Sequence, residues 1–115
     1  MNIYFAASKH HIDRLDQAAV RIKRAGHVIV SKWIWFPDDM PRQEMANRDI
    51  EDVAKCDILV EITGSGKGGR HVEFGYALAF DKQLAIIGDR EHIFHEMHRV
   101  RQFADLDEFL DYLEA

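Results

Sequence analysis

With 115 residues and a net charge of −5, the chain is long enough for one hydrophobic core and too short for two. The acidic balance, with a pI near 5.7, argues against a nucleic-acid polymer or an anionic membrane as a general partner, so any anion site must be built locally. The single cysteine, Cys56, excludes an internal disulfide, no apolar run follows a basic leader, and no apolar stretch approaches membrane-spanning length; the expectation is a reduced, cytoplasmic protein with no membrane partner.

In chain order, Ile3–Ala7 reads as a buried strand. Ile12, Leu15, Ala18, Ala19, Ile22 and Ala25 recur at helical spacing until Gly26 closes the helix. His27–Ser31 is a second strand, followed by the aromatic loop Trp33–Phe36 and a helix from Pro41 to Lys55, with proline in its first turn. Asp57–Thr63 is a β-branched run and a third strand. A glycine turn leads into a helix over Val72–Asp81, and Leu84–Gly88 is a fourth strand. Arg90–His98 reads as a short helix, and Asp105–Leu113 as a terminal one with Leu106, Phe109, Leu110 and Leu113 on one face. Strands and helices thus alternate with no linker or repeat, the pattern of an α/β domain with a mostly parallel sheet covered on both faces. In such a sheet ligands bind beyond the carboxyl ends of the strands, at the switch point.

The glycine turn Gly64-Ser65-Gly66-Lys67-Gly68-Gly69-Arg70 falls at such an end and runs straight into the helix that carries Glu73. Glycines let the backbone approach a ligand closely, and the amides of a first helical turn carry partial positive charge, so the segment predicts an anion cradle. Ser65, Lys67, Gly69 and Arg70 are its candidate binding residues. Gly64, Gly66 and Gly69 match the spacing of a dinucleotide fingerprint, and Asp89 ends the next strand where a ribose ligand would stand, but the match lies at the third strand with too little chain beyond it for a second half. A Walker A loop is excluded because glycine follows Lys67. Glu73 has two readings. It is a first-turn carboxylate favoured by the helix dipole, or a nucleophile on a helix face left bare by Gly75 and aimed at a sugar carbon.

Three segments carry a family resemblance: Tyr4-Phe5-Ala6-Ala7-Ser8, Asp49-Ile50-x-x-Val53-Ala54-Lys55-Cys56-Asp57, and the run from Gly69 through Glu73 to Lys82. In this order, across nearly the whole chain, they resemble the nucleoside 2-deoxyribosyltransferase family, which includes the 2'-deoxynucleoside 5'-phosphate N-hydrolases. The resemblance implies one domain over residues 1–115, a flavodoxin-like three-layer fold, no cofactor, and cleavage of an N-glycosidic bond. It makes Glu73 the nucleophile, Asp49 the acid that handles the base, and Tyr4 the strand tyrosine that positions the glutamate. The transferases typically carry aspartate six residues before the nucleophile, whereas this chain has Lys67. That departure points from a free nucleoside towards a nucleoside 5'-monophosphate, with base transfer, or a catalytically silent nucleotide-binding module, as the other readings.

Without the resemblance, Asp49 is equally a solvated helix charge, Tyr4 a core aromatic, and Ser8, at the ligand end of the first strand, a helix cap rather than a phosphate contact. His92, His95 and His98 recur at three-residue steps that drift off one helix face, with no HExxH pattern, so no metal site is expected. Phe94 and His95 are instead assigned to a loop covering the substrate site, which the resemblance implies is that of a neighbouring subunit; a homodimer or larger assembly is expected. The Trp33–Phe36 loop divides between core and a lid for the base, and Cys56 is a small core residue.

Overall fold

The computed structural model describes residues 1–115. Five strands, β1 (Asn2–Ala6), β2 (Val28–Ile29), β3 (Ile58–Ile62), β4 (Gln83–Ile87) and β5 (Val100–Phe103), form one sheet in the order β2-β1-β3-β4-β5. Every pairing is parallel, so the sheet is wholly rather than mostly so. The helices are α1 (Ile12–Arg24), α2 (Arg42–Lys55), α3 (Gly69–Ala79) and α4 (Leu106–Glu114). Right-handed crossovers put α1 and α4 on one face of the sheet and α2 and α3 on the other. This is the doubly wound flavodoxin-like arrangement, and its strands are buried on both faces, which is why β1 and β3 read as continuous apolar runs. The chain leaves β1 in one direction and returns to β3 in the other. The loops after these two strands, residues 7–11 and 63–68, therefore open at the switch point.

The structure departs from expectation in four places. The predicted helix over Arg90–His98 is a single 3-10 turn at Ile93–Glu96, and the chain then extends into β5, which pairs Val100 with Leu84 and Phe103 with Ile87. An edge strand of four residues with only its two ends buried carries no clean alternation, so it is invisible to periodicity. β2 is two residues long because side chains take over the edge of β1: the Ser31 hydroxyl accepts the Phe5 N–H at 3.1 Å and the Trp33 indole donates to the Phe5 carbonyl at 2.8 Å. α3 begins at Gly69, three residues earlier than predicted, which moves Glu73 out of the first turn and removes the helix-dipole reading. Finally, Gly75, two positions on from Glu73, lies some 200° round the helix and faces away from it.

Candidate active site

β1, α2 and α3 converge on a cleft of about 590 Å³ at the carboxyl edge of the sheet. Its walls include Ser8, Asp49, Lys67, Gly69, Arg70 and Glu73 from the sequence-derived set. Tyr4, fully buried on β1, donates its hydroxyl to Glu73 across the floor of the cleft. A strand tyrosine fixed by core packing thus holds the carboxylate of a helix residue by a charge-assisted hydrogen bond. Burial pushes the Glu73 carboxyl up to about 8; the Tyr4 hydrogen bond pulls against this, and the charges of Asp49 and Glu61 add to it. The same burial and the nearby carboxylates drive the Tyr4 phenol well above its ordinary range, so it remains a donor. Asp49 is also raised, by burial, against the pull of Arg48.

Arg48 also lines the cleft. Its guanidinium spans the Phe36 carbonyl at 2.9 Å and the Asp39 and Asp49 carboxylates at 3.1 Å each, which ties the aromatic loop to α2 and orients Asp49. Trp33 is core and cleft wall together, whereas Trp35 and Phe36 are 41% and 53% exposed. Arg42 and Met45, also on the wall, precede Asp49 by two turns and one turn of α2. Helical spacing from Asp49 is the signal that would have nominated both.

Ser8 and Ser65 bring their hydroxyls to 3.1 Å of one another where β1 and the glycine turn meet. Gly66 lies between this pair and Lys67 with φ +92°, and a Cβ there would stand 3.2 Å from that of Ser8, so the turn needs glycine for both its conformation and its fit. Lys67 is exposed at the cleft, its ammonium in no ion pair.

Arg70 is different. It is 7% exposed, its guanidinium held by Glu61 at 2.7 Å, by Glu91 and by the Ser65 carbonyl at 2.8 Å. Its charge is consumed inside the protein, so its place in the cradle is that of a brace beneath the turn rather than a free cation. Glu91 in turn accepts the Gly64 N–H at 3.2 Å. Sequence reasoning missed both carboxylates, although a glutamate within the buried run Leu59-Val60-Glu61-Ile62 demands a partner.

Phe94 and His95 are not on the cleft wall. Phe94 is 52% exposed, and His95 is buried behind Arg70, where its Nδ1 accepts the Glu91 N–H at 3.0 Å and its Nε2 meets Glu61 at 2.6 Å. Glu61, His92 and His95, and likewise Glu61, His71 and Glu91, approach the spacing of metal ligands. Neither set fits a cation. The amide donated to His95 Nδ1 puts the ring proton on Nε2, the atom a metal would need, and Arg70 already fills the space between Glu61 and Glu91.

No helix is long and apolar enough to cross a membrane. No protein-family model matches the chain, and no curated protein matches it by sequence. Solved structures do match it in shape. A CMP N-glycosidase from Clostridium botulinum superposes with a TM-score of 0.75 at 17% identity, over 99% of this chain and 98% of that one. A 2-deoxyribosyltransferase from Bacillus psychrosaccharolyticus gives 0.73 at 17% identity over 99% and 90%, and one from Leishmania mexicana 0.74 at 16% over 98% and 97%. At such identities the likeness is one of architecture: end to end, this chain has the α/β fold of an N-glycosidase and of two deoxyribosyltransferases.

Proposed function

We propose that this protein belongs with the nucleoside 2-deoxyribosyltransferase family and hydrolyses the N-glycosidic bond of a nucleoside 5'-monophosphate. The observation that carries the reading is the Tyr4–Glu73 pair at the floor of a cleft lined by an unspent lysine and by Ser8, whose hydroxyl meets that of Ser65 beside the cleft. The CMP N-glycosidase among the structural neighbours supports it.

The ionised Glu73 attacks C1' as the bond to the base nitrogen breaks, through an oxocarbenium-like transition state. Asp49, kept protonated more readily by its raised pKa, gives its proton to the departing base, directly or through water. Water then attacks C1', returns a proton to Asp49 and frees Glu73. The sugar leaves with retained configuration. Tyr4 donates to the ionised carboxylate and fixes its rotamer, while the cradle anchors the phosphate and so the sugar. The reading extends to an assembly of two or more copies: Val72 on α3 and Phe80 at its C-terminal cap are exposed, the half-buried Tyr76 packs its ring against Phe80, and Phe94 is exposed on the turn whose His92 meets His71 of α3. Light scattering that gives the monomer mass at micromolar protein refutes that part.

Chromatography of mixed nucleotides and nucleosides incubated with pure protein tests the whole. Release of free base from a monophosphate is expected. A new nucleoside formed when a second base is supplied would establish the transferase reading that the two deoxyribosyltransferase neighbours favour, and no turnover would leave a binding module. Lys67→Ala should lower kcat/KM for the monophosphate by about ten- to a hundredfold, the worth of a charge-assisted contact, and leave the parent nucleoside unaffected. Equal efficiency on both substrates in the wild-type protein would overturn the phosphate.

A further inference from the structure

Ser8 and Ser65 share a third partner that the proposed chemistry does not use. His10, exposed and outside the cleft wall, turns one edge of its ring to both hydroxyls: Nδ1 lies 2.7 Å from Ser8 Oγ and Nε2 3.3 Å from Ser65 Oγ. With the serines 3.1 Å apart, the three groups form a closed triangle.

The protons in that triangle can be counted. Each hydroxyl has one to donate, and a neutral imidazole donates through one nitrogen and accepts through the other. A neutral His10 therefore closes a ring: it donates to one serine, that serine donates to the other, and the second serine returns its proton to the remaining nitrogen. Both hydroxyl protons are then spent within the ring. A phosphate in the cradle needs those same protons. Both are released when both ring nitrogens become donors, Nδ1–H to Ser8 Oγ and Nε2–H to Ser65 Oγ, so that each O–H turns outward to the anion.

We propose that His10 is a proton-coupled positioning residue for the 5'-phosphate: the dianion and one solvent proton bind together, the proton resides on His10, and the imidazolium holds Ser8 and Ser65 as paired donors. The inference rests on the phosphate reading above. The surroundings agree with it. Beside it in the chain stand Lys9, which is paired with Asp38, and His11, whose ring lies 4.3 Å from that of His10 and which feels the charge of Arg14 of α1. From the glycine turn it meets Ser65, whose carbonyl accepts from Arg70, itself paired with Glu61 and Glu91. Burial, and the charges of His10, Arg14 and Arg70, hold His11 below its ordinary range. Lys9 and Arg70 already have carboxylate partners, so the positive charge added beside Ser8 and Ser65 in the bound state is that of His10 itself.

Because the bound state carries the extra proton, affinity for the monophosphate weakens as pH rises through the histidine range, about pH 5 to 8. The ligand takes up its own proton below about pH 6, so the test belongs above that value. Glu73→Gln serves as the parent, since it stops turnover and removes the Glu73 proton from the count. Calorimetric titration of CMP near neutral pH, in buffers of different ionisation enthalpy, gives the protons taken up per ligand bound. The parent should take up a fraction of a proton that disappears in Glu73→Gln/His10→Ala, with CMP bound about tenfold more weakly and cytidine unchanged within about twofold. His10→Gln, which keeps a donor and an acceptor but cannot titrate, should recover part of the affinity and none of the proton uptake. Equal uptake with and without His10, while CMP is still preferred to cytidine, overturns this inference and leaves the phosphate reading standing. Equal affinity of the parent for CMP and cytidine overturns both.

Discussion

Glu61 and Glu73 are two glutamates of one small core with opposite surroundings. Glu61 is the deeper, fully buried on the central strand, yet it meets Arg70 at 2.7 Å, His95 at 2.6 Å and His71 at 3.0 Å. Glu73 is only half-buried, but its one donor is the neutral phenol of Tyr4, and the charges that act on it, those of Asp49 and Glu61, have its own sign. Pairing rather than depth separates them. The compensated carboxylate becomes structure, bracing the glycine turn through Arg70, and the uncompensated one is pushed up to about 8.

The comparison is most exposed at Glu73 itself. Glu73→Ala should reduce turnover by on the order of 10⁴-fold or more, as loss of a nucleophile does, while the fold persists; residual activity above about a tenth of wild type would remove Glu73 from that role. Next comes its counterpart. Arg70→Ala strands Glu61 without a cation, and denaturant unfolding should register a loss of about 3–5 kcal/mol, whereas a loss near zero would erase the distinction drawn between the two sites.

Glu73→Gln tests the same contrast through stability. Below the ordinary glutamate range both folded and unfolded chains hold the Glu73 proton, and between there and pH 8 only the folded chain does. Wild-type stability therefore falls across that window and stays lowered above it. Glutamine removes the penalty, so the variant should gain on wild type as pH rises, by ~2–4 kcal/mol at about pH 9 and by little at about pH 5. A pH-independent difference in melting temperature would contradict the raised value. The smallest effect belongs to Tyr4→Phe. Loss of a donor that favours the ionised carboxylate should shift the acid limb of kcat/KM to higher pH and cost about tenfold near neutrality, with the alkaline plateau less affected.

Much of this contrast was legible in the chain and part was not. The run Asp57–Thr63, the glycine turn and the helix bearing Glu73 are local signals, and resemblance linked Tyr4 and Asp49 to Glu73 across the chain. The roles of Arg70 and His95 were misjudged for a common reason. A loop arginine reads as a free cation until Glu61 and Glu91, from two other elements, are seen to claim it, and His95 reads as a lid until it is found behind that same arginine. His10 carried no signal at all, because its interest lies in hydroxyls on two segments that only the fold brings within reach.

By itself the sequence determined the order of most elements, the parallel doubly wound sheet they imply, the position of the glycine turn at a strand-to-helix junction, and the segment bearing Glu73. These follow from periodicity, glycine placement and chain order, each a property of neighbours along the chain. The tertiary structure decided where β2 stops, that the residues after Met97 become an edge strand, which arginine is spent, and that the Glu73 carboxyl is pushed up. Each of these depends on hydrogen bonds and charges between residues distant in sequence, whose partners exist only once the sheet has assembled.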